Sequence, residues 1–337
     1  MFGFKTKKLD VLSIGDISVD NFIKIKEAET KCDIGNSHCV LCFNYGGKIP
    51  YESSEICYAT GNSSNAAISF SRLGLSSALM SNIGCDENGE RCLDKLKKEK
   101  VKTCFIKKQK YPTNYHYILW YLIERTILTK HEKYHYEWPK TKTIEGKNSP
   151  SWIYLSSLGE NSGNFYDEII SYLKRNNSVK LAFQPGTFQI KLGKDRFKYF
   201  YENTNVFICN KDEAEKILGT SGKDIKEMLK MINELGPKIV VITNSMDGAY
   251  SYDGKEFLHA KSLPHKPLET TGAGDAFSSA FVSALALNKT VSEALMWGAI
   301  NSMSVVENIG PHTGLLSRKL IEEFLEGIPE DHKPKAI

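Results

Sequence analysis

Glu269-Thr-Thr-Gly-Ala-Gly-Asp-Ala-Phe277 runs without a break into Ser278-Ser-Ala-Phe-Val-Ser-Ala-Leu-Ala-Leu287, a stretch of small and apolar residues. Residues 276–287 read as a buried helix. The glycines before it let a loop approach a ligand closely, and the first helical turn leaves amides free to meet an anion. The helix dipole adds to that attraction. A carboxylate, Asp275, stands in the same place, where bound phosphate alone would repel it. Amides that hold a transferring group beside an acid that takes an alcohol's proton would suit phosphoryl transfer to a hydroxyl. The competing reading is structural, an Asp that merely charges the first turn of a helix.

Outward from this stretch, apolar runs alternate with helical patterns. Residues 9–15 read as a buried strand ending at Gly15, and 63–73 as a helix closed by Gly74. Strand 77–83 is followed by helix 87–98, and strand 152–155 by helix 164–174. Strands 180–183, 206–209 and 238–243 and helices 213–218 and 224–235 continue the series. Such alternation predicts an α/β fold with a central, mostly parallel sheet flanked by helices. Residues 16–60, with strand-like 22–25, 40–43 and 55–58, and residues 104–150, with strand-like 115–123, break the pattern. They predict a small β-sheet lid on a single domain of residues 1–329, and 330–337 read as a polar, frayed tail.

Composition narrows the function classes. The 337 residues are 41% hydrophobic and 25% charged with a net charge of +4, ordinary for a chain that buries a large core. The densest basic cluster, Lys95-Leu-Lys-Lys-Glu-Lys100, alternates with apolar and acidic residues, as a solvated helix face does. No nucleic-acid partner is expected. No apolar stretch is long enough to span a bilayer, and residues 9–14 are too short for a signal peptide, so a cytoplasmic protein without a membrane partner is the default. Of the 8 cysteines, Cys39 and Cys42 form a C-x-x-C pair beside His38, with Cys32 and Cys57 around it. The spacings favour reduced, unlinked thiols over a structural metal.

Four further clusters carry polar chemistry. Gly15-Asp-Ile-Ser-Val-Asp20 follows the first strand, where open α/β sheets bind ligands and a carboxylate can accept from a diol; Asp16 and Asp20 could equally be turn residues. Gly61-Asn-Ser-Ser-Asn65 opens a helix and could hold hydroxyls through amides and Asn65, or be a start capped by Asn62 or Ser63. Asn210-Lys-Asp-Glu213 matches a capping box, and Glu213 could also order Mg²⁺ through water. Thr243-Asn-Ser-Met-Asp-Gly248 could lie against a nucleotide or turn a hairpin into 249–252.

The order of these pieces, with Arg72-Leu-Gly74 and Asn82-Ile-Gly-Cys-Asp-Glu-Asn-Gly89, resembles the PfkB carbohydrate kinase family with its ribokinase-like fold, over about residues 9–325. The resemblance implies an ATP- and Mg²⁺-dependent kinase acting on a primary hydroxyl of a sugar such as ribose or fructose, or of a nucleoside. Asp275 would be the base and Gly272, Ala273 and Gly274 the anion hole. Asp20, Gly61, Asn62, Asn65, Arg125 and Glu160 would face the acceptor. Asn210, Thr243, Ser245, Gly248 and Asn301 would serve the nucleotide, and Glu213 the metal. A homodimer through the lid is also implied. Two departures stand out: Asn62 replaces the second glycine of the family's Gly-Gly, and Glu269 stands where many members carry Asp in a monovalent-cation loop. The second counts against potassium activation. Phe43, Tyr45 and Tyr58 are candidates for stacking on a base. A non-catalytic relative is the rival from another class. An oxidoreductase lacks its G-x-G-x-x-G after the first strand.

Overall fold

The computed structural model describes residues 8–33, 39–122, 124–139, 144–145 and 149–337. The chain opens with β1 (Val11–Ile14), then makes an excursion through β2 (Ser18–Ile25), β3 (Glu29–Cys32), β4 (Cys39–Cys42) and β5 (Tyr51–Thr60). It returns through α1 (Asn62–Arg72), β6 (Ser77–Gly84), α2 (Glu87–Lys98) and β7 (Lys102–Gln109), and leaves again for β8 (Asn114–Tyr121) and β9 (Glu124–Leu128). The second half alternates: β10 (Trp152–Leu155), α3 (Gly163–Arg175), β11 (Lys180–Phe183), α4 (Thr187–Leu192), α5 (Lys198–Asn203), β12 (Val206–Asn210), α6 (Lys211–Leu218), α7 (Ile225–Asn233) and β13 (Ile239–Thr243). Then come β14 (Ala249–Tyr252), β15 (Phe257–Ala260), α8 (Ala273–Ala286), α9 (Val291–Val306), α10 (Arg318–Glu326) and β16 (Lys335–Ala336).

The large sheet has 10 strands in the order β16-β15-β14-β13-β12-β11-β10-β1-β6-β7. From β13 to β7 neighbouring strands run parallel, and β14 to β16 are antiparallel. Beside β1 the chain order reverses, from β6 on one side to β10 on the other, which opens a crevice at the carboxyl ends of the strands. Alternation along each strand feeds two cores. Leu12, Ile153, Leu155, Leu181 and Phe183 pack on Phe165, Tyr172, Phe200 and Leu229 of α3, α5 and α7. Val11, Trp152, Tyr154 and Ala182 pack on Phe70, Phe281 and Trp297 of α1, α8 and α9. Each fully buried large side chain of this kind contributes roughly 1.5–3 kcal/mol.

A second, 4-stranded sheet in the order β5-β2-β8-β9 stands apart from the first, and β3 and β4 form a 2-stranded ribbon. The excursion after β1 supplies β2 and β5 of this second sheet, whereas only part of residues 104–150 belongs to it. Residues 102–109 are the edge strand β7 of the large sheet, and Tyr134, Tyr136 and Ile144 are buried in its core. The apolar face of the body captures this aromatic stretch. The tail is also corrected: β16 pairs with β15 and closes the sheet's edge.

Cysteine pairing differs from expectation as well. Cys32 and Cys39 lie opposite each other in the ribbon and form a disulfide. That removes Cys39 as a thiolate ligand, and among the described residues no group of three or more His, Cys, Asp or Glu could hold a metal. His38 and Ile123 lie outside the described residues. Among the described residues, no helix is long and apolar enough to cross a membrane.

Candidate active site

Four strands of the parallel set lead into polar residues at their carboxyl ends. β1 leads to Asp16, β11 to Gln184, β12 ends in Asn210 and β13 in Thr243. Against these ends stands the start of α8, which comes three residues earlier than the apolar pattern indicated. Gly272 is its N-cap, with φ 83°, so Asp275 belongs to the first turn. A Cβ on Gly272 would also lie 2.5 Å from Pro311, so this position requires glycine twice over. The Ala273 amide is directed at the Thr270 carbonyl at 3.3 Å, whereas Gly274 has no intrahelical partner by helix geometry. Gly274 is exposed, and a Cβ on it would meet nothing nearer than Gln184 Nε2 at 4.0 Å.

The Asp275 carboxylate is buried and oriented from two sides. Asn65 Nδ2 donates to Oδ2 at 2.7 Å, and Gln184 Nε2 reaches Oδ1 at 3.5 Å. Tyr154 donates to the other end of the Gln184 amide. Burial pushes the Asp275 carboxyl up to about 6; the Asn65 and Gln184 bonds oppose the rise, the charge of Asp20 adds to it and Arg125 opposes it. A buried acid poised near neutrality beside a helix N-terminus is what a proton acceptor requires.

Asn65 is fixed in turn by a residue that the sequence did not single out. His312 Nε2 lies 2.9 Å from Asn65 Oδ1. Because a carboxylate only accepts, Nδ2 must face Asp275, Oδ1 must face His312, and Nε2 must carry the proton. Burial, reinforced by Lys95 and Arg72, lowers His312 to about 3, so the ring is uncharged. Arg72 holds this loop by donating to the carbonyls of His312 at 2.7 Å and Leu315 at 2.9 Å, while Glu99 pairs with its guanidinium.

The small sheet supplies the opposite wall. Asp20 is buried on β2, not in a turn, and accepts from Ser18 Oγ at 3.1 Å. Arg125 on β9 donates to Thr270 Oγ1, and its Nε lies 3.7 Å from Glu269. Glu269 itself is 1% exposed and accepts from the Thr271 amide at 2.7 Å. Asp16 accepts from Tyr136 Oη at 2.8 Å and is pushed up to about 6 by burial. Gly61 has φ 101° and would place a Cβ 2.6 Å from the Asp16 carbonyl. It, rather than Asn62 or Ser63, is the N-cap of α1, without a side-chain cap. Asn62 begins the helix half-buried.

Other expected residues divide. Asn210 and Glu213 close a reciprocal capping box, at 2.8 and 2.9 Å. Burial raises the Glu213 carboxyl, with a further push from Asp275. Thr243 to Gly248 does turn a hairpin into β14; Ser245 has φ 45° and Gly248 φ 91°, where a Cβ would strike Ala260 O at 2.1 Å. Asn301 faces away from the crevice. It is fully buried, donates to Ala276 O at 3.0 Å and Ser69 Oγ at 3.3 Å, and accepts from the Leu316 amide at 3.0 Å. Its polar atoms tie α8, α9 and the next loop together, so it leaves the nucleotide-binding set. Glu160 is exposed, with no hydrogen bond or ion pair to the Asp275 group among the described residues. Tyr45 is fully exposed and Tyr58 packs over Arg91 at 5.4 Å, so neither forms a stacking face at Asp275.

A family model described as pfkB family carbohydrate kinase matches residues 37–318. The chain belongs to this family. It is thus a kinase that uses a hydroxyl acceptor. Among its relatives, the ATP-dependent 6-phosphofructokinase of Thermoanaerobacterium thermosaccharolyticum is 26% identical over 316 residues, 91% of this chain and 91% of that protein. The structure of Arabidopsis thaliana ribokinase complexed with ribose and ATP matches with a TM-score of 0.74 at 17% identity, covering 95% of this chain and 99% of the other. The nucleoside kinase of Methanocaldococcus jannaschii matches at 0.72 and 18%, covering 95% and 99%. At these identities the two structures establish the fold alone. Within the kinase, Gln184 follows a parallel strand as Asp16 does and was open to the same strand-end argument, whereas no local signal marked His312.

Proposed function

We propose that the chain transfers the γ-phosphoryl group of ATP to a primary hydroxyl of a sugar such as ribose or fructose. The observation that carries this reading is the buried Asp275 carboxylate, held by Asn65 and Gln184 one residue from the exposed Gly274. The acceptor hydroxyl lies between Asp275 and Asp20. Its oxygen attacks the γ-phosphorus as the bond to the β–γ bridging oxygen breaks, its proton passes to Asp275, and ADP leaves. Amides at the start of α8 meet the charge that develops on the transferring group. Residues 272–274 act as the anion hole, and Asn210 with the 243–248 turn flanks the nucleotide.

Magnesium fits these residues. The ion ordinarily keeps several waters and takes one or two carboxylates together with substrate phosphates, so a dedicated protein cage is unnecessary. Glu213 gives Oε2 to the Asn210 amide and leaves its other oxygen for a metal-bound water. Bound there with ATP, magnesium would neutralise phosphate charge. A nucleoside acceptor is the second reading, supported by a partial match to the cytidine kinase of Thermococcus kodakarensis, 30% identical over 110 residues. ADP release from Mg-ATP over a panel of sugars and nucleosides tests the proposal. Release is expected to depend on one of them. Absent release across the panel would reject it in favour of a non-catalytic relative, and acceptor-independent release would reject it in favour of ATP hydrolysis.

A further inference from the structure

Beside Asp20 stand two histidines, His116 on β8 and His131 in the connection after β9, that the reaction as described leaves without a task. Cys57, Asp20 and His116 lie directly opposite one another on β5, β2 and β8. His116 Nδ1 is 3.3 Å from Asp20 Oδ1. Since the carboxylate can only accept, Nδ1 carries a proton, and in an uncharged ring Nε2 is then a bare lone pair. That Nε2 is buried with no hydrogen-bond partner. His131 stands 5.2 Å away, centroid to centroid, between His116 and Phe188 at 5.3 Å. Its Nδ1 is likewise buried and unpartnered. Burial, with His116 beside it, lowers the His131 imidazole from its ordinary value. Phe188 lies on α4, just beyond the Gln184 that contacts Asp275, and the charge of Asp20 is felt at Asp275, so the pair stands near the same group.

Buried polar atoms without partners are destabilising until something hydrogen-bonds to them. A hydroxyl suits both nitrogens, because it can donate to the His116 lone pair and can donate to or accept from His131. An anion does not. It would face the Asp20 and Asp275 carboxylates and a lone pair, and the cations nearby already face acidic groups, Arg125 at 3.7 Å and without a hydrogen bond from its Nε. Arg125 is set against Glu269 and Thr270, Arg72 and Lys95 against Glu99, and Lys24 against Glu52. We propose that His116 and His131 are specificity-determining residues that, with Asp20, read the hydroxyls of an uncharged polyhydroxylated acceptor and exclude its phosphorylated counterparts. This rests on the kinase reading above and narrows its acceptor class.

The test is ADP release from Mg-ATP with three matched pairs: fructose and fructose 6-phosphate, ribose and ribose 5-phosphate, adenosine and its 5′-monophosphate. The uncharged member of at least one pair is expected to exceed its partner in kcat/KM by on the order of 10²-fold or more. His116→Phe and His131→Leu should each raise the KM for that acceptor about 10–100-fold, with the KM for ATP within about twofold and kcat less affected. His116→Gln, whose amide oxygen can accept near the Nε2 position, should recover part of the loss. Thermal melts of all three variants separate this from misfolding. Preference for a phosphorylated member overturns the proposal while leaving the kinase reading intact. So do variants that lose stability without a shift in acceptor KM. ADP release with no member of any pair overturns both.

Discussion

At the scale of single residues, Asp275 combines instability with reactivity. Its carboxyl rises from the usual 3.8 to about 6, chiefly through burial. Below about pH 4 both folded and unfolded chains hold this proton. Between the two values the folded chain binds more protons, so stability falls as pH rises, and above about pH 6 the full cost of roughly 3 kcal/mol applies. Asp275→Asn should therefore melt at a higher temperature than wild type at pH 8 and show no such gain near pH 4; calorimetry at both values checks this. The same ionisation should appear in wild-type turnover as an acid limb, with activity rising through about pH 6. A profile flat from pH 5 to 8 would remove Asp275 as the titrating base. His312 acts one bond further out. His312→Leu strands the buried Asn65 Oδ1, a loss of about 1–3 kcal/mol, and frees the amide to turn. We expect kcat to fall on the order of tenfold with little change in the KM for ATP; steady-state kinetics that match wild type would reduce His312 to packing.

Among elements, the contact between α8 and α9 fixes where the catalytic helix begins. A Cβ on Gly298 would lie 2.8 Å from the Phe277 ring, two residues past Asp275. Gly298→Ala gains helix propensity of about 1 kcal/mol but overpacks by about 1–3 kcal/mol, so a net loss is expected. A thermal melt at or above the wild-type temperature would contradict that. β9 reaches the same loop from the other side through Arg125, which sets a guanidinium against Glu269. We expect this charge to serve in place of a monovalent cation, with turnover the same in potassium and tetramethylammonium buffers; severalfold activation by potassium would refute it. Strands and helices of the parallel set were legible because each is a short apolar run bounded by turn residues. β10, β11 and α2 fall on the residues expected. β7, Tyr134 and Tyr136 were not, since their half-polar surroundings in sequence leave the choice between body and small sheet to tertiary contacts.

In the whole molecule, the site exists only where two sheets face each other. Asp20, His116 and Arg125 come from the small sheet, while Asp275, Gln184 and the Gly274 amide belong to the body. This explains which parts of the site were readable. Asp275, Asn65 and Asp20 sit in motifs whose local form, glycine before a helix or acid after a strand, already suggests a ligand. His116, His131 and His312 lie on a strand, a connection and a loop with no such form, and only folding brings them near Asp20 and Asn65. Asn301 reads as polar in sequence yet is consumed inside the helical layer. The central claim is that proton removal by one carboxylate and charge stabilisation by adjacent amides drive the transfer. Single-turnover phosphoryl transfer by Asp275→Asn, with Mg-ATP and the best acceptor both saturating, addresses it most directly. A loss of on the order of 10²–10⁴-fold with the fold intact is the predicted result; a rate within a few fold of wild type would contradict the account.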